Sequence, residues 1–239
     1  MKKQIIAMSS GGFSMQPANS ILDYYVLNQS DKTNPKLCFL PTASGDDESY
    51  ILKFYSFFSS LNCVPSYLSL FNPPTSDLED FIMNKDIIYV GGGNTKNLLA
   101  LWKEWNLHNI LKKAYDSGII LAGLSAGAIC WFEEGVTDSI PGELTKLECL
   151  GYLKGSSCPH YDYDKKRRPA FHRLLNSKEI QDGIAIDDGV ALHYVNDELY
   201  KVISSSYKSK AYKVSLDGDE IREEPLSNIT YLVNNELGK

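Results

Sequence analysis

The chain has 239 residues, 43% of them hydrophobic, which suits one α/β domain over 1–239 with a sizeable core. Its formal net charge is −6 and its one basic run is Lys165-Lys166-Arg167-Arg168, which excludes the broad positive surface that wholesale nucleic-acid binding needs. Cysteines stand at 38, 63, 130, 149 and 158, an odd number without a C-x-x-C pair, so a disulfide framework and a structural zinc site are both disfavoured and a reducing, cytoplasmic setting is expected.

Lys2 and Lys3 precede a short apolar run, but polar Ser9-Ser10-Gly11-Gly12 follows at once. The start therefore reads as a first strand, 4–8, rather than a signal peptide. No later stretch approaches the roughly 20 apolar residues that cross a bilayer. A helix is predicted over 18–29, a strand over 36–40, a helix over 49–61 and a strand over 64–70. Next come a helix over 76–83, with Thr75 or Ser76 as its cap, and a strand over 86–90. The helical pattern over 95–117 is interrupted at Trp105-Asn106-Leu107, and a strand over 118–124 follows. This alternation is the signature of a mostly parallel sheet with helices on both faces. A further helix is predicted from 169 to 177. Beyond it, strands over 184–187, 190–195, 199–204 and 211–215 are separated by the turn sequences Asn196-Asp197 and Asp217-Gly218-Asp219. The expectation is an antiparallel C-terminal extension of that sheet.

One junction carries chemistry. The run 118–124 ends at Gly123-Leu124-Ser125-Ala126-Gly127-Ala128, a G-x-S-x-G in the strand–turn–helix setting of a nucleophile elbow. Such a turn projects the Ser125 hydroxyl and puts the Ala126 amide at a helix start, facing a reacting carbonyl. Upstream, Gly91-Gly92-Gly93-Asn94-Thr95 follows a strand and opens a helix. Its bare amides suit an oxyanion, with Gly92 or Gly93 as a second donor, and it lacks the spacing of a nucleotide-binding loop.

A serine nucleophile needs a base, and the chain has four histidines. His108 and His172 fall on predicted helices and His193 inside a strand. His160 lies in a loop after an apolar run, where sites are usually built. For the orienting acid, Asp138 and Asp188 both lie near element ends, and either can serve.

The blocks Gly91-Gly92-Gly93-Asn94-Thr95, Gly123-Leu124-Ser125-Ala126-Gly127-Ala128, Thr137-Asp138, Cys158-Pro159-His160-Tyr161 and Ile186-Asp187-Asp188-Gly189 occur in the order found in peptidase E. The chain resembles these aspartyl dipeptidases, to which cyanophycinases are related, from its first strand to about residue 195. The resemblance implies a flavodoxin-like layer arrangement like that of class I glutamine amidotransferases. It implies a serine peptidase of short peptides with Ser125 as nucleophile and His160 as base. Asp138 matches the family's acid position, and Asp188 matches a family glutamate. Arg167 matches an arginine that binds a substrate's N-terminal aspartate side chain, and Asn94 and Thr95 are further candidates for substrate contact. Implied with it are a small peptide as partner, no cofactor, no metal, and a monomer or weak homodimer. The alternatives are a cyanophycinase-like β-aspartyl peptidase and a non-catalytic binding protein on the same scaffold. A cysteine-dependent amidotransferase fits less well, since Cys130 lies five residues past the elbow.

Overall fold

The computed structural model describes residues 2–232. Its first half runs β1 (Gln4–Met8), α1 (Gly12–Met15), α2 (Ile21–Leu27), β2 (Lys36–Leu40), α3 (Glu48–Phe58), β3 (Val64–Tyr67), α4 (Leu78–Met83), β4 (Ile87–Val90), α5 (Thr95–Glu104), α6 (Leu107–Asp116) and β5 (Ile120–Leu124). The second half runs α7 (Ala126–Ile129), β6 (Phe132–Thr137), β7 (Thr145–Glu148), β8 (Leu153–Cys158), α8 (Arg167–Asn176), β9 (Gly183–Ile186), β10 (Val190–Val195), β11 (Glu198–Ser204), β12 (Ala211–Asp217), β13 (Glu220–Pro225) and β14 (Ile229–Tyr231).

Strands β1, β4 and β5 are buried along their whole length, which is why they read as unbroken apolar runs. Period-two alternation splits β1 between two cores: Ile5 and Ala7 face one, Ile6 and Met8 the other. Helix α6 buries Leu107, Ile110, Leu111, Ala114 and Tyr115, the spacing of a single helical face. The pattern over 95–117 is two helices because Asn106 adopts a left-handed φ of 54° between them. Helix α4 is capped by Asp77, which accepts from Asp80 N at 2.9 Å, and not by Thr75 or Ser76.

The strands form two sheets. An eight-stranded sheet has the order β14-β11-β10-β1-β5-β4-β2-β3. Its half from β1 to β3 is parallel, while β10 joins β1, and β11 joins β10, antiparallel. A six-stranded sheet has the order β13-β12-β9-β8-β6-β7. The mostly parallel sheet with an antiparallel C-terminal extension is as expected, β10 and β11 forming that extension, but β9 and β12 join the second sheet instead. The reason lies in 132–148. There Phe132-Glu133-Glu134-Gly135 and the half-exposed β7 carry too few apolar side chains to read as strands, yet they give β9 and β12 a sheet to join. One core spans both sheets, with Ile5 and Leu121 of the first and Leu153, Ile186 and Ala211 of the second. The carboxyl ends of β1, β4 and β5 are thereby brought beside the loops after β8 and β9.

Candidate active site

Strand β5 ends at Leu124 and α7 starts at Ala126, so Ser125 alone makes the turn. Its backbone stands at φ 55°, ψ −112°, a strained conformation for a residue with a Cβ. The strain is held from both sides. Ser125 N–H donates to Met8 O at 3.0 Å and Ser9 O at 3.1 Å, while Ser125 O accepts from Ala128 N at 2.9 Å and Ile129 N at 3.0 Å. The flanking glycines are required by contact: a Cβ on Gly123 would press into the carbonyl of Gly127, and one on Gly127 into the carbonyl of Val90.

Ser125 Oγ lies 2.9 Å from His160 Nε2, and His160 Nδ1 lies 2.7 Å from Asp188 Oδ1. An ionised carboxylate only accepts, so it fixes the proton on Nδ1 and leaves the Nε2 lone pair for the serine hydroxyl. Burial works to raise the Asp188 pKa, but hydrogen bonds and charge from His160, with bonds from Ser10 and Ser9, outweigh it and hold the carboxyl below its usual value. His160 and Asp188 keep 15% and 16% side-chain exposure, enough for access from one side only.

A cavity of about 460 Å³ opens over this chain of bonds, walled by Ser14, Asp47, Tyr50, Lys53, Gly92, Gly93, Ser125 and His160 among others. A Cβ on Gly92 would lie 3.3 Å from the Ser125 Cβ, so the glycine loop passes directly beside the elbow. Gly92 N–H points at Tyr50 Oη at 3.3 Å, and Ala126 N–H is among the amides that the first turn of α7 leaves without an intrahelical partner.

Other residues singled out in the sequence stand elsewhere. Asp138 does not touch the imidazole. It is 69% exposed and pairs with Arg167 Nη2 at 3.1 Å. Arg167 is not on the cavity wall. Its guanidinium is buried, donates to Val136 O at 2.9 Å and faces Asp164 at 3.4 Å, so it ties α8 to β6. Asn94 is engaged at the start of α5, accepting from Asn97 N at 2.9 Å and donating to Ser139 O at 3.0 Å, and Thr95 is buried. Neither lines the cavity. The other histidines have structural partners: His108 the Trp102 carbonyl, His172 the Glu223 carboxylate, His193 the Tyr25 hydroxyl and Gln4. Sequence reasoning missed Ser9, Asp47, Tyr50 and Lys53. The last three stand at the cap and in the first two turns of α3, where the sequence offered no signal beyond a capping aspartate.

Residues 5–202 match the profile of Peptidase family S51. The chain is 60% identical over 224 residues to the Uncharacterized peptidase YgaJ of Bacillus subtilis (strain 168), covering 94% of this chain and 97% of that protein. In fold it is similar to the crystal structure of a peptidase from an acI-B1 Actinobacterium, with a TM-score of 0.75, 18% identity and 95% of both chains covered. It is also similar to a Listeria monocytogenes EGD-e protein whose name carries peptidase E, with a TM-score of 0.65, 19% identity, and 86% of this chain and 100% of that one covered. By the span of the family match and the closeness of the Bacillus relative, the chain belongs to Peptidase family S51, a family of serine peptidases.

Proposed function

We propose that this peptidase hydrolyses short peptides through an acyl-enzyme on Ser125, in the manner of a dipeptidase E. The observation that carries the reading is the unbroken chain from Ser125 Oγ through His160 to Asp188 at the mouth of a cavity. Ser125 Oγ bonds to the scissile carbonyl carbon as its proton passes to His160 Nε2. The resulting oxyanion is held by the Ala126 amide and one amide of the Gly92–Gly93 loop. Collapse breaks the C–N bond, and His160 returns its proton to the leaving amine. Water then adds to the acyl-enzyme, giving one proton to His160, and the acid leaves as Ser125 regains its hydrogen. Asp188 stays ionised throughout and steadies the imidazolium.

The cavity wall also supports a substrate with charged ends. Asp47 caps α3 through Oδ1, which accepts from Tyr50 N at 2.8 Å, and Lys53 lies two turns further along the same wall. A free peptide amine and a carboxylate find opposite charges there. With Arg167 committed to α8 and β6, Lys53 is the residue suited to a carboxylate, whether at the peptide's end or on an N-terminal aspartate.

The test is labelling with a fluorophosphonate probe together with a dipeptide library that compares N-terminal Asp with all other residues. Wild-type protein should carry the adduct on Ser125 and cleave dipeptides; Ser125→Ala should do neither while folding normally. Lys53→Met should raise KM for carboxylate-bearing dipeptides and leave kcat near wild type. A folded wild-type protein that takes no adduct and cleaves no dipeptide overturns the reading and favours a binding protein on this scaffold.

A further inference from the structure

We propose that Ser9 is the positioning residue of this site, one side chain and one carbonyl that hold Ser125, His160 and Asp188 in register. The inference rests on the catalytic reading above and adds a fourth residue to it. Ser9 is fully buried just past the end of β1. Its carbonyl accepts from Ser125 N–H at 3.1 Å, and its own N–H donates to Val190 O at 2.9 Å. Its hydroxyl accepts from His160 N–H at 2.7 Å and donates to Asp188 Oδ1 at 3.1 Å. No other assignment of that hydroxyl's proton satisfies both partners, because the backbone amide can only give and the carboxylate can only accept.

The three partners come from separate parts of the chain. Ser9 is 151 residues from His160 and 179 from Asp188, so nothing local sets their mutual distance. His160 stands at φ 57°, in the left-handed region that a side chain disfavours, and its amide is held there by Ser9 Oγ. Ser9 is itself placed by β1, which pairs with β5 on one side and β10 on the other. The segment that follows is pinned by the Asp23 carboxylate, which accepts from Phe13 N at 2.6 Å and from Tyr89 Oη at 2.8 Å. Ser9 does not itself line the cavity but stands behind two residues that do, Ser125 and His160, which separates its role from that of a substrate ligand.

Removing the hydroxyl leaves the backbone contacts in place, strands the His160 amide and takes one donor from Asp188. The carboxylate then carries more of its charge towards Nδ1–H, and the imidazolium is stabilised. The other charged groups near Asp188 are Asp187 and Asp162, which accepts from Asp188 N at 2.8 Å, with Arg168 beyond Asp187, and the substitution leaves all of them in place. The experiment compares wild type with Ser9→Ala and with Ser9→Cys, which keeps a side-chain atom at the position but is a weak donor. Two readouts are taken over pH: the second-order rate of fluorophosphonate labelling, and the NMR titration of the His160 Cε1–H signal, identified by its absence in His160→Gln. In both variants labelling above the acidic limb should slow roughly tenfold, because the stranded His160 amide no longer fixes the imidazole against Ser125 Oγ. The His160 midpoint, and with it the acidic limb of the labelling profile, should move to higher pH, while the far-UV spectrum stays that of wild type. Ser9→Thr, which restores the hydroxyl, should restore the midpoint. A folded Ser9→Ala or Ser9→Cys with the wild-type His160 titration overturns the proposal, as does a lower melting temperature with both pH readouts unmoved. Should wild type itself take no label, the nucleophile assignment fails, and the titration still decides the role of Ser9.

Discussion

Asp188 carries its negative charge inside a half-closed pocket, and that charge survives because bonds from His160, Ser10 and Ser9 outweigh the cost of burial. Held below the usual carboxylate range, it stays ionised at every pH at which the protein is expected to work. Asp138, the second acid that the sequence offered, spends its charge on Arg167 at the surface. The two residues therefore predict opposite outcomes. Asp188→Asn keeps the size of the side chain but can present an N–H to Nδ1, favouring the wrong imidazole tautomer, and should lower kcat by about 10³–10⁴-fold. Asp138→Asn should leave kcat within a few-fold of wild type and loosen the attachment of α8. Steady-state kinetics on any dipeptide found in the library measures both, and equal losses in the two variants would remove Asp188 from the mechanism.

At the scale of elements, the elbow works because β5 and α7 meet at a turn with no room for side chains on either flank. Gly127→Ala forces its new methyl against the Val90 carbonyl, at the end of the strand next to β5. Backbone on both sides cannot yield without moving the glycine loop that starts at Gly91. The expected cost is about 1–3 kcal/mol of stability, with a loss of fluorophosphonate labelling larger than that destabilisation explains. A folded Gly127→Ala that labels at the wild-type rate would show that the turn tolerates relaxation. This junction was legible in the sequence for the same reason that it is fragile: only small residues fit, so the glycines and alanines stand together. Strands β1, β4 and β5 were legible because burial along their whole length leaves a nearly unbroken apolar run. Strands β6 and β7 were not, since Glu133 and Glu134 interrupt the apolar side chains of β6 and the half-exposed β7 has no apolar run of its own. Arg167 misled in another way. A basic run at the start of a helix looks solvated or ligand-binding, and nothing local announces that one guanidinium turns inward to a strand 31 residues back.

Across the whole molecule, helix α2 is clasped to the large sheet by two buried titratable groups whose responses to pH oppose each other. Asp23 in α2 reaches Tyr89 of β4, and burial pushes its carboxyl up to about 7 despite the bonds from Tyr89 and Phe13. Tyr25 in the same helix meets His193 of β10 at 2.7 Å, and burial, helped by Lys2 and Lys201, pushes that imidazole down to about 4. For Asp23 the native state binds the extra proton between its ordinary 3.8 and about 7, so stability falls as pH rises through that window. For His193 the unfolded state binds the extra proton between about 4 and its ordinary 6.5, so stability rises with pH there. The two slopes, each at most about 1.4 kcal/mol per pH unit for one whole proton, largely cancel in the wild-type protein. Asp187, pushed up to about 6 by burial, adds to the downward slope. Asp23→Asn keeps an acceptor for Phe13 N and removes the Asp23 titration; it should leave stability nearly level between about pH 4.5 and 6, where His193 and Asp187 then offset each other. His193→Gln removes the opposing contribution and should leave stability falling more steeply than in wild type over the same interval. Urea midpoints measured at several pH values in that range test the pair. Curves for the two variants that run parallel to each other would mean that neither buried group titrates where its surroundings place it, and that α2 is held by packing against Phe54 and Phe58 rather than by its polar clasps.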